Sequence, residues 1–462
     1  MIIMTRQIAQ GMFLAVSVLM ASSVLAGPSY IESINAPTDS ANFAKGADTV
    51  TAFDQWLVVG SPASSDSHVT IYRRTTASSG QPHYVPFQTI NAIQGGSYFG
   101  TSVAISKTDF RVTQGETLLF VGAPKYDTYG YTDSGLVFVY EYDDAQAVWT
   151  QKNVIYPPSQ EAYSWFGHSL DASHQRLIVG APYQDYLGYT DSGVAFTFHV
   201  DSATNITSQG AHVSAYGIEA YAHAGWSVDL TAMDYSHVDQ TWYHYMIGSP
   251  DHDGAGNNAG RVELCREKVD VDSTSAPRTC RLMAPSSVAA YDRFGYAVSV
   301  DGNKFAAGAP KHDVGNKTNA GAVYLAQWIG DSFEYLYTWT SFNYSTSYAQ
   351  AYAEFGSTVA IVDRYGLDGP NHLAFDAVAG APNQDYSGYS NMGRVFTFER
   401  KYNSSLSKYV DTHRALPAGG VQVSSLYEGS ALFLDTGRRI FSGAPSNGSS
   451  VNIQDVRFYT MD

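Results

Sequence analysis

Phe99-Gly-Thr-Ser-Val-Ala-Ile105, followed by Leu118-Leu-Phe-Val-Gly-Ala-Pro124, is the stretch that settles the fold, because its two ends recur along the chain. Gly-Ala-Pro, or its variant Gly-Ser-Pro, places a proline at Pro62, Pro124, Pro182, Pro250, Pro310, Pro382 and Pro445, in steps of 62, 58, 68, 60, 72 and 63 residues. Upstream lies an aromatic–glycine pair: Phe99-Gly100, Phe166-Gly167, Phe294-Gly295 and Phe355-Gly356. Degenerate versions are Gly225-Trp226 and Glu428-Gly429, and the first unit offers Phe43 and Gly46. A fixed unit repeated seven times in tandem is one supersecondary element that buries its faces against its neighbours.

Within a unit the hydrophobic pattern has period two, as strands require. The second unit reads Thr-Ser-Val-Ala-Ile, Leu-Leu-Phe-Val, Leu-Val-Phe-Val-Tyr-Glu-Tyr and Trp-Thr-Gln-Lys-Asn-Val-Ile-Tyr, four short antiparallel strands. Seven such sheets stacked around an axis predict an all-β, seven-bladed β-propeller over residues 27–462. The last unit shows only three strands, ending in Val456-Arg-Phe-Tyr459. Tyr30-Ile-Glu-Ser-Ile-Asn-Ala-Pro37 matches the fourth-strand pattern of the other units. The first strand is therefore predicted to complete the last blade and to seal both sheet edges.

The 462 residues agree with one large β-rich body: 14% are aromatic, 15% charged, with 41 Gly. A net charge of −16 argues against nucleic acid or anionic lipid as partner. Residues 1–26 read as a secretory signal peptide, with Arg6, an apolar run from Met12 to Met20, and Val24 and Ala26 at the cleavage site. No later segment is apolar enough to cross a bilayer. The expectation is a monomeric propeller that is secreted, or periplasmic or at the cell surface in a bacterium. In an oxidising compartment Cys265 and Cys280 are expected to bridge. Sequons at Asn205, Asn316, Asn343, Asn403 and Asn447 are glycosylation candidates if the source glycosylates.

The units resemble FG-GAP repeats, as in the propeller of integrin α-chains and many secreted microbial proteins. The resemblance implies the fold over nearly the whole mature chain. It also raises Ca²⁺ sites in acidic loops between the first and second strands. Those segments here, such as Asp363 with Asp368, lack closely spaced oxygen ligands. A different acidic pattern follows Gly-Ala-Pro in five blades, starting at Asp127, Asp185, Asp253, Asp313 and Asp385 and ending in a glycine. It reads as a repeated turn in which Asp caps backbone N–H groups, with weak cation sites as the other reading.

The second-to-third and fourth-to-first strand loops share one face of a propeller, and both are rich in rings. Tyr126, Tyr129, Tyr131, Tyr183, Tyr186, Tyr189, Tyr386 and Tyr389 lie in the former, and Trp165, Tyr163, Tyr221, Tyr291, Tyr348 and Tyr352 in or beside the latter. Tyrosine joins a flat apolar face to a hydroxyl, which suits sugars or proteins. No nucleophile elbow, zinc helix or Cys-x-x-Cys pair occurs. The expected function is non-enzymatic recognition of a glycan or extracellular protein. The alternatives are a propeller enzyme acting on polysaccharide and a structural surface or matrix component.

Overall fold

The structure is a computed structural model that describes residues 29–36, 42–46, 48–77, 80–108, 115–212, 218–235, 240–270, 278–329, 332–343, 349–364, 373–416, 427–434, 439–445 and 454–461. Residues 1–26, Tyr348, Asp368 and Asn447 lie outside that set.

Seven four-stranded antiparallel sheets form the blades of a propeller. Six follow one another along the chain, from Val50–Asn91 in blade 1 to Thr358–Ala415 in blade 6. Blade 7 takes Ala431–Leu434, Arg439–Pro445 and Gln454–Thr460 from the C-terminal end and Ser29–Asn35 from the N-terminal end. The N-terminal strand pairs antiparallel with the last one, from Ser29 opposite Thr460 to Asn35 opposite Asp455. The first strands of successive blades touch in a closed cycle around the axis.

The third strand of each blade explains the long apolar runs. In blade 2, residues 136–140 are buried without a break, because both faces of the blade are covered. Period two then sorts them: Phe138 and Tyr140 pack on Trp56, Val58 and Ile71 of blade 1, and Val137 and Val139 on Leu177, Val179 and Phe196 of blade 3. Burying each such side chain stabilises by about 1.5–3 kcal/mol. The outermost strands alternate instead, as in Pro82–Asn91, where exposed and half-buried residues interleave.

The two repeat motifs are halves of one backbone junction. The glycine after the aromatic donates its N–H to the first glycine of Gly-Ala-Pro in its own blade: Gly100 to Gly122, Gly167 to Gly180, Gly225 to Gly248, Gly295 to Gly308, Gly356 to Gly380 and Gly429 to Gly443, all at 2.9–3.0 Å. Its carbonyl presses on the Gly-Ala-Pro glycine of the preceding blade, where a Cβ would overlap it. That carbonyl also accepts from a hydroxyl of the preceding blade, as in Ser102 Oγ to Gly167 O at 2.8 Å and Thr358 Oγ1 to Gly429 O at 2.7 Å. In the first unit the junction residue is Ala44, not Gly46: Ala44, at φ 53°, donates to Gly60 O at 2.9 Å. In the fourth unit the pair is Ala224-Gly225, one residue earlier than Gly225-Trp226. In the seventh, Glu428 stands where other units have Phe. It is buried and satisfied by Arg457 at 2.7 Å and the Tyr459 hydroxyl at 2.5 Å.

The bridge Cys265–Cys280 joins directly opposed residues of the third and fourth strands of blade 4. It closes a separation of 15 residues, worth about 3 kcal/mol in the chain-entropy model.

Candidate functional site: the loop face and axial mouth

The loops after Gly-Ala-Pro are locked to the loops that lead into the next blade. Tyr163 donates its N–H to Thr132 O, Tyr221 to Thr190 O, Tyr291 to Asn257 O and Tyr352 to Thr318 O, at 2.7–2.8 Å. The two aromatic-rich loop sets therefore share one face. The repeated aspartates act as caps: an Oδ1 accepts the N–H of Asp133, Asp191, Asn258, Asn319 or Asn391 from Asp127, Asp185, Asp253, Asp313 or Asp385, at 2.7–2.9 Å. Each loop residue that donates its N–H has φ near +50°, which Asp and Asn tolerate better than other side chains. Among the described residues one group has three ligand-type side chains close enough for a metal. It is Glu263 with Cys265 and Cys280, whose sulfurs are bonded to each other.

Counted from the aromatic–glycine pair, the side chains fall on three concentric rings. The outer ring, three residues before the aromatic position, holds Tyr163, Tyr221, Tyr291 and Tyr352, which are 59, 58, 61 and 60% exposed. All four have φ between 62° and 70°. A bulky residue in that region costs about 1–2 kcal/mol. Tyr129 and Leu187, also at φ 50°, stand exposed beside them on turns that normally use Asn-Gly.

The middle ring is a belt of side chains alternating between the residue before the aromatic and the residue after Gly-Ala-Pro. Lys125 Nζ lies 4.8 Å from the Tyr98 ring and 4.5 Å from Trp165. Trp165 meets Tyr183 at 4.4 Å, and Tyr183 meets His223 at 4.6 Å. His223 Nδ1 then reaches Asp251 at 2.8 Å, Asp251 receives Arg293 through two bonds of 2.8 Å, and Lys311 pairs with Glu354. Burial would raise Asp251, but the hydrogen bonds from His223 and Arg293 outweigh it and hold the carboxyl below its usual range.

The inner ring, one residue past the glycine, surrounds the axis: Thr101, His168, Trp226, Tyr296, Ser357 and Ser430, with Lys45 at the matching place in unit 1. These residues line a mouth of about 370 Å³ together with Asp48, Glu354, Asn383 and Tyr427. The mouth is two-sided. Blades 3, 4 and 5 supply rings, with His168 4.8 Å from Trp226 and Trp226 5.7 Å from Tyr296. Blades 2, 6 and 7 supply Thr101, Ser357 and Ser430. Burial, with help from His223, pulls the His168 pKa down to about 4, so the ring is neutral near pH 7.

Below the mouth a channel runs between the seven inner strands and carries Asp48, Asp171, Asp229 and Asp301. Three of these carboxyls stitch neighbouring strands whose facing edges share no ladder. Asp171 accepts the Leu230 N–H at 3.0 Å, Asp229 that of Val300 at 2.7 Å and Asp301 that of Asp363 at 2.9 Å. Ser173 and Ser299 do the same for Ala232 and Ile361, at 3.1 and 3.2 Å. Desolvation raises Asp48 to about 8, helped by the charge of Asp229, and raises Asp301 to about 7. A carboxyl raised on folding binds its proton more tightly in the folded chain, so its stabilisation is full below its unfolded pKa of about 4 and is lost as pH rises through the folded value. The denaturant midpoint is therefore expected to fall between about pH 5 and pH 9, and Asp48→Asn to flatten that slope. A slope unchanged in the variant would count against this assignment.

The loop rings divide in two. Tyr129, Tyr131, Tyr189 and Tyr389 are exposed. Tyr126 and Tyr186 pack against core clusters, Arg394 lies 4.1 Å from the Tyr386 ring, and Tyr183 and Trp165 meet edge to face in the belt. The inner-ring aromatics and the channel aspartates escaped the sequence reading. Their signal is the count from the junction glycine: one residue past it for the rings, four for Asp171 and Asp229, and six for Asp301. Asn205, Asn316, Asn343 and Asn403 are exposed. Among the described residues no helix is long and apolar enough to cross a membrane.

Among solved structures, a candidate 6-phosphogluconolactonase from Bacteroides uniformis superposes with a TM-score of 0.44 at 8% identity, over 84% of this chain and 90% of that one. That likeness carries no functional argument. No curated protein matches. The FG-GAP repeat family model matches residues 149–198 and 280–326, within blades 2–3 and 4–5. The chain is a seven-bladed β-propeller in which FG-GAP repeats are found in those two places, consistent with an integrin-α-like propeller.

Proposed function

We propose that the protein is an exported recognition module that binds a glycan through its tyrosine-rich loop face. The observation that carries the reading is the outer ring. Four equivalent tyrosines stand in the left-handed region, more than half exposed, where glycine would relieve the strain. Rings held this rigidly lose little entropy when a sugar or a partner covers them. The regular spacing of identical rings suits a repeating ligand. Export is supported by the bridge Cys265–Cys280, which persists in oxidising compartments.

The test is a glycan array probed with the full chain and with a Tyr163→Ser/Tyr221→Ser/Tyr291→Ser/Tyr352→Ser variant. Each ring contributes about 1 kcal/mol, so the four-fold variant is expected to lose roughly a thousandfold in affinity. Equal binding by both proteins would refute the proposal. So would a wild-type chain that captures only proteins, or one that releases product from an arrayed polysaccharide.

A further inference from the structure

We propose that the axial mouth is a subsite for one uncharged sugar ring at the end of a glycan chain. The ring would stack on Trp226 and Tyr296, with its hydroxyls toward Thr101, Ser357, Ser430 and Asn383. The assignment rests on the glycan reading of the loop face and adds a place and a ligand class to it.

Four observations lead to it. First, the mouth measures about 370 Å³, at the low end of the roughly 300–1,000 Å³ of small-molecule sites, which suits one or two rings rather than a threaded polymer. Residues of all seven units surround it, so a chain enters end-on.

Second, the hydroxyl wall has a defined polarity. Thr101 donates to Tyr98 O at 2.6 Å, Ser357 to Glu354 O at 2.7 Å and Ser430 to Tyr427 O at 2.6 Å. Each hydroxyl has thereby used its only proton and offers lone pairs to the mouth. Two acceptors on neighbouring blades and a third beyond Lys45 fit a ligand that brings several O–H donors.

Third, the aromatic wall is held in place before any ligand arrives. Arg293, which does not line the mouth, lies 5.6 Å from the Trp226 ring and 5.3 Å from that of Tyr296. It is itself fixed by two hydrogen bonds to Asp251. That cation already interacts with both rings, which leaves them poorly suited to a cationic ligand and well suited to the C–H face of a sugar.

Fourth, the mouth carries little net charge. Lys45 brings one positive group, Asp48 is held largely protonated and His168 neutral at pH 7 by burial, and Glu354 is paired with Lys311.

The experiment titrates the full chain with methyl glycosides of glucose, galactose, mannose and N-acetylglucosamine, read by saturation-transfer NMR. At least one glycoside is expected to bind, with transfer strongest at its ring C–H protons. Trp226→Ala is expected to weaken it at least tenfold. Thr101→Val and Ser357→Ala, which remove acceptors without touching the aromatic wall, are each expected to weaken it severalfold, and they keep the test alive if Trp226→Ala fails to fold. Failure of all four glycosides to bind, or undiminished binding by Trp226→Ala or by both hydroxyl variants, overturns the subsite. The loop-face reading fails separately, if the wild type binds no arrayed polymer.

Discussion

Gly308→Ala is expected to lower the unfolding free energy by about 3 kcal/mol or more, close to the limit for a single added methyl group. The methyl group would overlap the Gly356 carbonyl oxygen. Neither partner can yield, because Gly356 is tied to Gly380 O at 2.9 Å and Gly308 donates its own N–H to Ala297 O at 2.8 Å. Relief requires parting blades 5 and 6, which would expose Trp339, Phe355 and Phe396. Gly188→Ala is the matched control. Gly188 lies at φ +87° with nothing within 4 Å of a built Cβ, so only the backbone preference is lost, about 1 kcal/mol. Paired denaturant titrations check this. Equal midpoint shifts for the two variants would show that the junction is not what sets the spacing of the blades.

Removal of Ser29–Asn35 is expected to cost still more, because it opens the ring at its only non-consecutive joint. The deletion strips the partner from Gln454–Thr460 and leaves a bare strand edge. Ile34 leaves the core, and the Tyr30–Tyr459 ring contact at 5.7 Å is lost. The link to blade 1 goes with it, since Glu32 accepts the Tyr84 N–H at 3.0 Å and pairs with His83 at 2.5 Å. The shortened chain is expected to aggregate or to melt at least 10 °C lower, scaling roughly as a loss of several kcal/mol would. Sedimentation and thermal melts read this. An unchanged melting temperature in a monomeric product would refute closure by the N-terminal strand.

What the sequence reveals here follows from where backbone meets backbone. The junction tolerates no side chain at Gly308 and a left-handed φ at Gly356, so both are written as glycine in unit after unit, and the repeat is visible without alignment. The missing fourth strand of the last unit was legible for a similar reason, since Tyr30-Ile-Glu-Ser-Ile-Asn reproduces a pattern that only a half-buried outer strand needs.

The belt could not be read in this way. Its backbone positions repeat, but its chemistry changes at each link: a lysine over two rings, an edge-to-face ring pair, a histidine–aspartate bond, an arginine fork. Any single link resembles an unrelated surface pair until the blades bring it together. The tyrosines posed the converse difficulty. Tyr186 and Tyr189 lie three residues apart on one hairpin, yet Tyr186 packs on the core and Tyr189 faces out, because the turn between them reverses the chain.

The central claim, that the loop face is where ligand is held, is tested most directly by hydrogen exchange of the full chain with and without a glycan recovered from the array. Protection is predicted at the amides of the Tyr129–Asp133 and Leu187–Asp191 loops beside the outer ring, and of Tyr291–Tyr296, which runs from the outer ring to the inner one. The hairpin turns at the opposite end of the blades, Asp143–Val148 and Asn403–Lys408, are predicted to exchange unchanged. Protection at those turns, with the loop face unaltered, would contradict the claim.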